Sequence, residues 1–216
     1  LDACELMNVG VNYMREHMPD SARIHYAYLD VGGAAPNVVQ ANATVRQLIR
    51  ASDNATLRDM VARVQDIAKG AALMTGTTME AKVYSGVSNL VGNAPLEQAM
   101  QNEFDKLGPV PFDAEDATFA NEIRKTLTAD DIAASFQRAG CDTPPDLPLC
   151  DFVAPLERPS IGGEGSTDVG DVSWVTPTVQ ARVATCAVGT PFHTWQTVAQ
   201  GKAPAAHKGM IHAAQV

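Results

Sequence analysis

The stretch RIHYAYLDVGGAAPNVVQANATVRQLIR, residues 23–50, decides the fold of the first part of the chain. From Arg23 to Val31 the side chains alternate, with Ile24, Tyr26 and Tyr28 on one face. That is the period of a strand covered on one side only. Gly32 and Gly33 turn the chain, and Ala43 to Arg50 forms a second strand with Val45, Gln47 and Ile49 on one side.

Upstream, Cys4, Met7, Val11, Met14 and Met18 recur at spacings of three and four, one apolar stripe on a helix that Pro19 and Asp20 end. Downstream, Ser52, Asp53 and Asn54 offer N-caps for a helix from about Ala55 to Met74. Its stripe is Leu57, Val61, Val64, Ala68 and Ala71; Thr75-Gly76-Thr77 breaks it, and Met79 to Ser85 has the composition of a third strand. The order helix, strand, strand, helix, strand is that of a ferredoxin-like βαββαβ unit lacking its first strand, an α/β (α+β) arrangement. The first helix has no capping residue before it, and Ala203 to Val216 reads as a helix that simply stops, so both ends read as those of a fragment.

Beyond about Val91 the character changes, and a domain boundary is placed near 88–94, dividing the chain into 1–90 and 91–216. Pro95 opens a helix carrying Leu96, Met100, Phe104 and Leu107, closed by Gly108-Pro109. Short helices follow around Asp116–Leu127 and Ala129–Arg138, each entered from a Thr or Asp. Residues 141–165 form a long Pro- and Gly-rich loop, and Arg182 to Val188 reads as a buried strand.

Composition excludes several functions. The 216 residues carry a formal charge of −9, so no basic surface is offered to nucleic acid. No apolar run reaches the roughly 20 residues of a membrane helix. The carboxylates are uneven: residues 97–171 hold 16 against 5 basic side chains, and residues 172–216 hold none. A metal site using that tail must therefore borrow ligands from elsewhere. Cys4, Cys141, Cys150 and Cys186 include no C-x-x-C pair. A Cys141–Cys150 disulfide is compatible with the spacing, but four cysteines in this length do not make a disulfide scaffold, and a reducing, cytoplasmic setting is expected.

The candidates for chemistry are few. Gly165-Ser166-Thr167-Asp168 followed by Val169-Gly170-Asp171 is a small-residue turn with two carboxylates. On residues alone it is an Asx-type helix cap, and the functional alternative has Asp168 orienting a ligand or a metal-bound histidine. His193 follows Gly189-Thr190-Pro191-Phe192 beyond the expected strand, where α/β proteins place reactive groups. His207 and His212, five residues apart on a helix, point about 140° apart and are taken as structural. His17 suits a helix C-terminus, and His25 faces opposite Ile24, open to a surface or inter-subunit role. Asn37 in the turn and Arg50 at the strand end have ordinary structural readings. Together they could instead hold a substrate carboxylate, with Arg50 giving the bidentate fork. No G-x-G-x-x-G, P-loop, G-x-S-x-G or H-E-x-x-H is present.

Several strings resemble one family. Arg23-Ile24-His25-Tyr26 and Gly32-Gly33-Ala34-Ala35-Pro36-Asn37-Val38-Val39 resemble the lid domain of the aminoacylase and carboxypeptidase-G type metallopeptidases. Residues 165–174 (GSTDVGDVSW), 189–196 (GTPFHTWQ) and 206–210 (AHKGM) are similar to its branch acting on p-aminobenzoyl-glutamate. The resemblance implies that 1–90 is most of a lid and dimerisation domain, and 91–216 the C-terminal part of a mixed α/β catalytic domain. It implies metal-assisted hydrolysis of an amide beside a carboxylate, in p-aminobenzoyl-glutamate or another N-acyl amino acid or dipeptide. The cofactor would be two zinc (or manganese) ions. The lid would pair with that of a like subunit or a sister subunit. His193 matches the family's last metal ligand, Asn37 and Arg50 its lid contacts to the substrate carboxylate, and Asp168 an acidic position behind the metal shell. The remaining ligands and the general base have no counterpart here, so the chain as given is expected to be inactive and not to hold the metal pair alone. The alternative from another class is a noncatalytic dimerisation or regulatory module derived from that family.

Overall fold

Asp53 starts the longest helix by accepting the Thr56 amide at 2.9 Å, and Gly76 ends it in the left-handed conformation. Between these caps runs α2 (Asn54–Thr75), which buries Met60, Val64, Ala68, Ala71 and Ala72. Leu57 and Val61 of the expected stripe are half-buried at its edge. The first helix, α1 (Asp2–Met14), continues into a 3-10 turn at Arg15–His17 and buries Asn8, Val11 and Met14. Strands β1 (Arg23–Asp30) and β2 (Thr44–Arg50) form an antiparallel hairpin in which Ile24 opposes Ile49, Tyr26 opposes Gln47 and Tyr28 opposes Val45. Ile24 joins Val11, Met14, Ala22, Met60 and Val64 in one core, against which Ile49, Met7 and Ile67 pack. Both helices thus lie on the side of the hairpin that the alternation of residues 23–50 assigned to the interior.

The computed structural model describes residues 1–138, 146–156 and 165–216, and the chain divides into two compact units. The first is Leu1–Leu90 with Ser166–Asp171; the second is Val91–Gly165 with Val172–Val216. Within the first, the Asp171 carboxylate accepts the Ser88 amide at 2.8 Å, which ties the 166–171 turn to the segment after α2. The Cys141–Cys150 pairing lies outside the described residues through Cys141, and the 141–165 loop does so in most of its length.

The second unit holds α3 (Ala94–Leu107), α4 (Ala114–Arg124), α5 (Ala129–Arg138), α7 (Trp195–Gln200) and α8 (Pro204–Gln215). The short α6 (Val169–Ser173) begins at the 166–171 turn. Asp113 and Asp116 form a reciprocal capping box at α4, and Thr128 and Asp131 exchange bonds in the same way at α5. Ala120, Ile123, Leu149, Ala187 and Ala205 form its core.

Among the described residues the architecture is mixed α/β, with eight α-helices and one two-stranded sheet. Two expected strands are absent. Met79–Ser85 has strand composition, but neither β1 nor β2 hydrogen-bonds to it, and a strand exists only as a pair. Arg182–Val188 is likewise irregular. The Ala187 amide donates to the Gln200 side-chain oxygen at 2.7 Å and the Val188 amide to the Pro148 carbonyl at 2.9 Å. A side chain and a loop therefore satisfy the donors that a ladder would have used. No described helix is long and apolar enough to cross a membrane.

Candidate functional site

His193 is exposed and sits at φ 64°, the one non-glycine residue in the left-handed region among those described. That conformation costs an L-residue roughly 1–2 kcal/mol, and it survives only where neighbours over-determine it. The neighbours here are visible. Thr194 and Thr197 hydroxyls both donate to the Pro191 carbonyl, at 2.8 and 2.7 Å. Thr190 donates to the Ala187 carbonyl at 2.7 Å and accepts from buried Gln200 at 3.0 Å. Gly189, at φ 96°, abuts α5, where an added Cβ would lie 2.7 Å from Ile132 Cγ1. The turn that presents His193 is thus fixed from both sides, with the imidazole left facing solvent.

Around Asp168 the turn is local. The Thr167 hydroxyl accepts the Val169 amide at 3.3 Å, and the Gly170 and Asp171 amides donate to the carbonyls of Thr167 and Asp168. Asp168 is exposed, and Asp171 is the carboxylate with a structural task. Its pKa is held below the usual aspartate range by the hydrogen bonds from Ser88.

Asn37 is exposed in the hairpin loop, and Arg50 is half-buried at the far end of β2, opposite Arg23. The hairpin roots them at opposite ends: Asn37 follows β1 beyond Asp30, whereas six strand residues, about 20 Å, separate Thr44 from Arg50. The ladder therefore does not bring the two together. Asn37, Arg50 and Asp168 fall in the first unit and His193 in the second. His25 stands on the open face of the hairpin, and His207 is exposed. His212 is buried, its ring centroid 6.4 Å from that of Phe104.

Three polar groupings have no signal in the residue patterns. Asn8 on α1 donates to the Tyr28 hydroxyl at 3.1 Å and accepts from Gln47 at 2.9 Å, and burial pushes the Tyr28 phenol up. Gln200 organises the His193 turn. Lys208 on α8 donates to Asp113 and Asp116 at the start of α4, each at 2.5 Å, with the Asp116 side chain only 2% exposed. These bonds hold Asp113 below the usual carboxylate range and Lys208 above its ordinary value. Only the capping box of that last grouping can be read from sequence, as the Asp entering the helix.

No family model matches the chain. Over 225 aligned residues, all of this chain and 47% of the relative, it is 42% identical to the B subunit of p-aminobenzoyl-glutamate hydrolase from Escherichia coli (strain K12). It is 28% identical over 118 residues, 54% of this chain and 27% of the relative, to Xaa-Arg dipeptidase of Mus musculus. The chain thus spans about half the length of the first relative and about a quarter of the second. Both relatives carry the names of hydrolytic enzymes, in agreement with the resemblance carried by residues 23–39, 165–174, 189–196 and 206–210.

Proposed function

We propose that this chain contributes a lid and the C-terminal part of a catalytic domain to a metal-dependent amidohydrolase. Its substrate would be an amide adjacent to a carboxylate, of the p-aminobenzoyl-glutamate, N-acyl amino acid or dipeptide class. The observation that carries the reading is identity to the hydrolase relative along the whole of this chain rather than in one motif. The hairpin with α1 and α2 on one face is compatible with a ferredoxin-like lid. Pairing of that lid with a like or sister subunit agrees with the relative's name, which is that of one subunit of its enzyme.

In this reading His193 supplies one ligand to a zinc or manganese pair, Asp168 orients the shell behind it, and Arg50 receives the substrate carboxylate, while Asn37, rooted at the other end of the hairpin, would meet the substrate from the loop. The donors do not suffice for such a pair. Among the described residues no group of three or more His, Cys, Asp or Glu converges. A bridging dinuclear site needs several carboxylate or imidazole ligands. We therefore assign the remaining ligands and the base outside the described residues and derive no hydrolytic step from this chain. The role left to His193 is to present a lone pair from a turn fixed before any metal arrives.

The test is release of p-aminobenzoate from p-aminobenzoyl-glutamate by the protein that carries this chain, supplied with zinc or manganese. Turnover is expected, and His193→Ala should remove both turnover and bound metal by elemental analysis. Metal content equal to wild type would take His193 out of the ligand set. Absence of turnover with a sister subunit present would leave the noncatalytic dimerisation module as the better reading.

A further inference from the structure

The face of the β1–β2 hairpin turned away from α1 and α2 carries Arg23, His25 and Ala27 on one strand and Thr44, Arg46, Leu48 and Arg50 on the other. None of these is a carboxylate. Asp30, at the rim, is turned into the loop and accepts the Gly32 amide at 2.8 Å. Arg46 and Lys82 share one aromatic ring: the Arg46 guanidinium carbon lies 5.5 Å from the Tyr84 centroid and Lys82 Nζ 5.1 Å from it. Arg23 donates to the carbonyls of Ala22 and Asp20. Among the described residues Arg46 and Lys82 thus lie against an aromatic face rather than a carboxylate. In a chain of net charge −9, this strand face carries cations and no carboxylate, and two basic side chains converge on one ring beside it.

We propose that this face binds an extended oligocarboxylate, typified by an acidic di- or tripeptide, with Arg46, Lys82 and Tyr84 forming an anion seat separate from the Arg50 end. Arg46 and Arg50 are four strand residues apart, about 13 Å, a gap that a short acidic peptide bridges when extended. Leu48, paired with His25, lies between the two ends, and Ala27 stands opposite Arg46, so the apolar contact for its backbone comes from Leu48. A single carboxylate occupies one end; a second or third anionic group reaches the Tyr84 seat. This rests on the proposed function, because it names the kind of substrate whose first carboxylate Arg50 receives.

Titration calorimetry of the 216-residue chain with triglutamate and with glutamate tests it. Triglutamate is expected to bind about tenfold or more tightly than glutamate, and to weaken as salt is raised. Arg46→Gln should lose about that tenfold for triglutamate and leave glutamate unchanged. Lys69→Gln, which removes one charge on α2, should alter neither. Triglutamate binding no tighter than glutamate, an Arg46→Gln variant equal to wild type, or an equal loss in Lys69→Gln would overturn the proposal. So would a heparin fragment that competes as well as triglutamate, since that would mark a general polyanion surface. The two readings fail separately. Arg46-dependent triglutamate binding without any amide hydrolysis removes the enzyme and keeps the seat; hydrolysis with an unaffected Arg46→Gln does the reverse.

Discussion

Ile24→Ala and Leu48→Ala, made side by side, test which face of the hairpin is interior, and the assignment of every outward cation depends on the answer. Ile24 is 2% exposed and packs into the core with Val11, Met14, Met60 and Val64. Truncation to alanine removes three carbons, about 2.4 kcal/mol of transfer free energy at roughly 0.8 kcal/mol each. A residual cavity term brings the expected loss to about 3–4 kcal/mol, because α1 and α2 can only partly close on the gap. Leu48 is 56% exposed on the opposite face, one residue from Ile49, and its truncation should cost less than about 0.5 kcal/mol. All four tyrosines, Tyr13, Tyr26, Tyr28 and Tyr84, lie in the first unit, and both tryptophans, Trp174 and Trp195, in the second. Urea unfolding followed by tyrosine near-ultraviolet dichroism should therefore show a lower midpoint for Ile24→Ala, while tryptophan fluorescence reports the other unit. Equal losses for the two variants, or a larger loss at Leu48, would refute the register and with it the location of Arg23, His25 and Arg46.

Two further outcomes concern the second unit. Gly209→Ala would drive a Cβ into the Ala184 carbonyl, and should lower the tryptophan-detected stability by about 1–3 kcal/mol. Gly201→Ala, whose Cβ would meet nothing closer than the Val198 carbonyl at 3.6 Å, should leave it within about 0.5 kcal/mol. The Lys208 tie sets a pH window. Hydrogen bonding to Lys208 lowers the Asp113 pKa below the ordinary 3.8, so its contribution is present above that value and lost as pH falls below it. Bonding to Asp113 and Asp116 raises Lys208 above 10.5, so that contribution is present up to this value and lost as pH climbs past it. The melting temperature of Lys208→Met should thus fall furthest below wild type between those limits and converge on it outside them. A difference that stays constant from acid to alkali would contradict the tie.

The parts of the fold that are legible in the sequence are those in which one segment suffices to decide. The two hairpin faces follow from alternation alone: the register sets Ile24, Tyr26 and Tyr28 opposite Ile49, Gln47 and Val45, with Ile24 and Ile49 packed into the core and the two tyrosines still exposed. The helix start at Asp53 is readable because a cap acts within four residues, whereas α4 starts at Ala114 behind its Asp113 cap, two residues ahead of the expected Asp116. Met79–Ser85 and Arg182–Val188 mislead because β-propensity measures only fitness for a pleated surface, while the strand itself is conferred by a neighbour. In the second case the neighbour is Gln200, whose burial no local pattern announces. The string Ala206-His207-Lys208-Gly209-Met210, distinctive in sequence, has a structural account: Lys208 fastens α8 to α4, and Gly209 lets α8 touch the Ala184 backbone.

The candidate site divides along the same line. His193 can be singled out by its position after a Gly-Thr-Pro-Phe turn, yet its positive φ cannot, since that depends on threonines and a glutamine up to seven residues away acting together. Asn37 and Arg50, thirteen residues apart in sequence, have the side chains to share one carboxylate. An antiparallel hairpin, however, pairs residues equidistant from its turn, so Arg50 meets Arg23 and not the loop that carries Asn37. Under the proposed function, an anion held at Arg50 would meet the rest of β2 before the loop, and the next outward cation along that strand is Arg46, gathered with Lys82 on Tyr84. Neither spacing nor composition joins residue 46 to residue 84. The register of β2 and the path of the chain after α2 do, and they bring basic residues that are scattered in sequence together beside one strand.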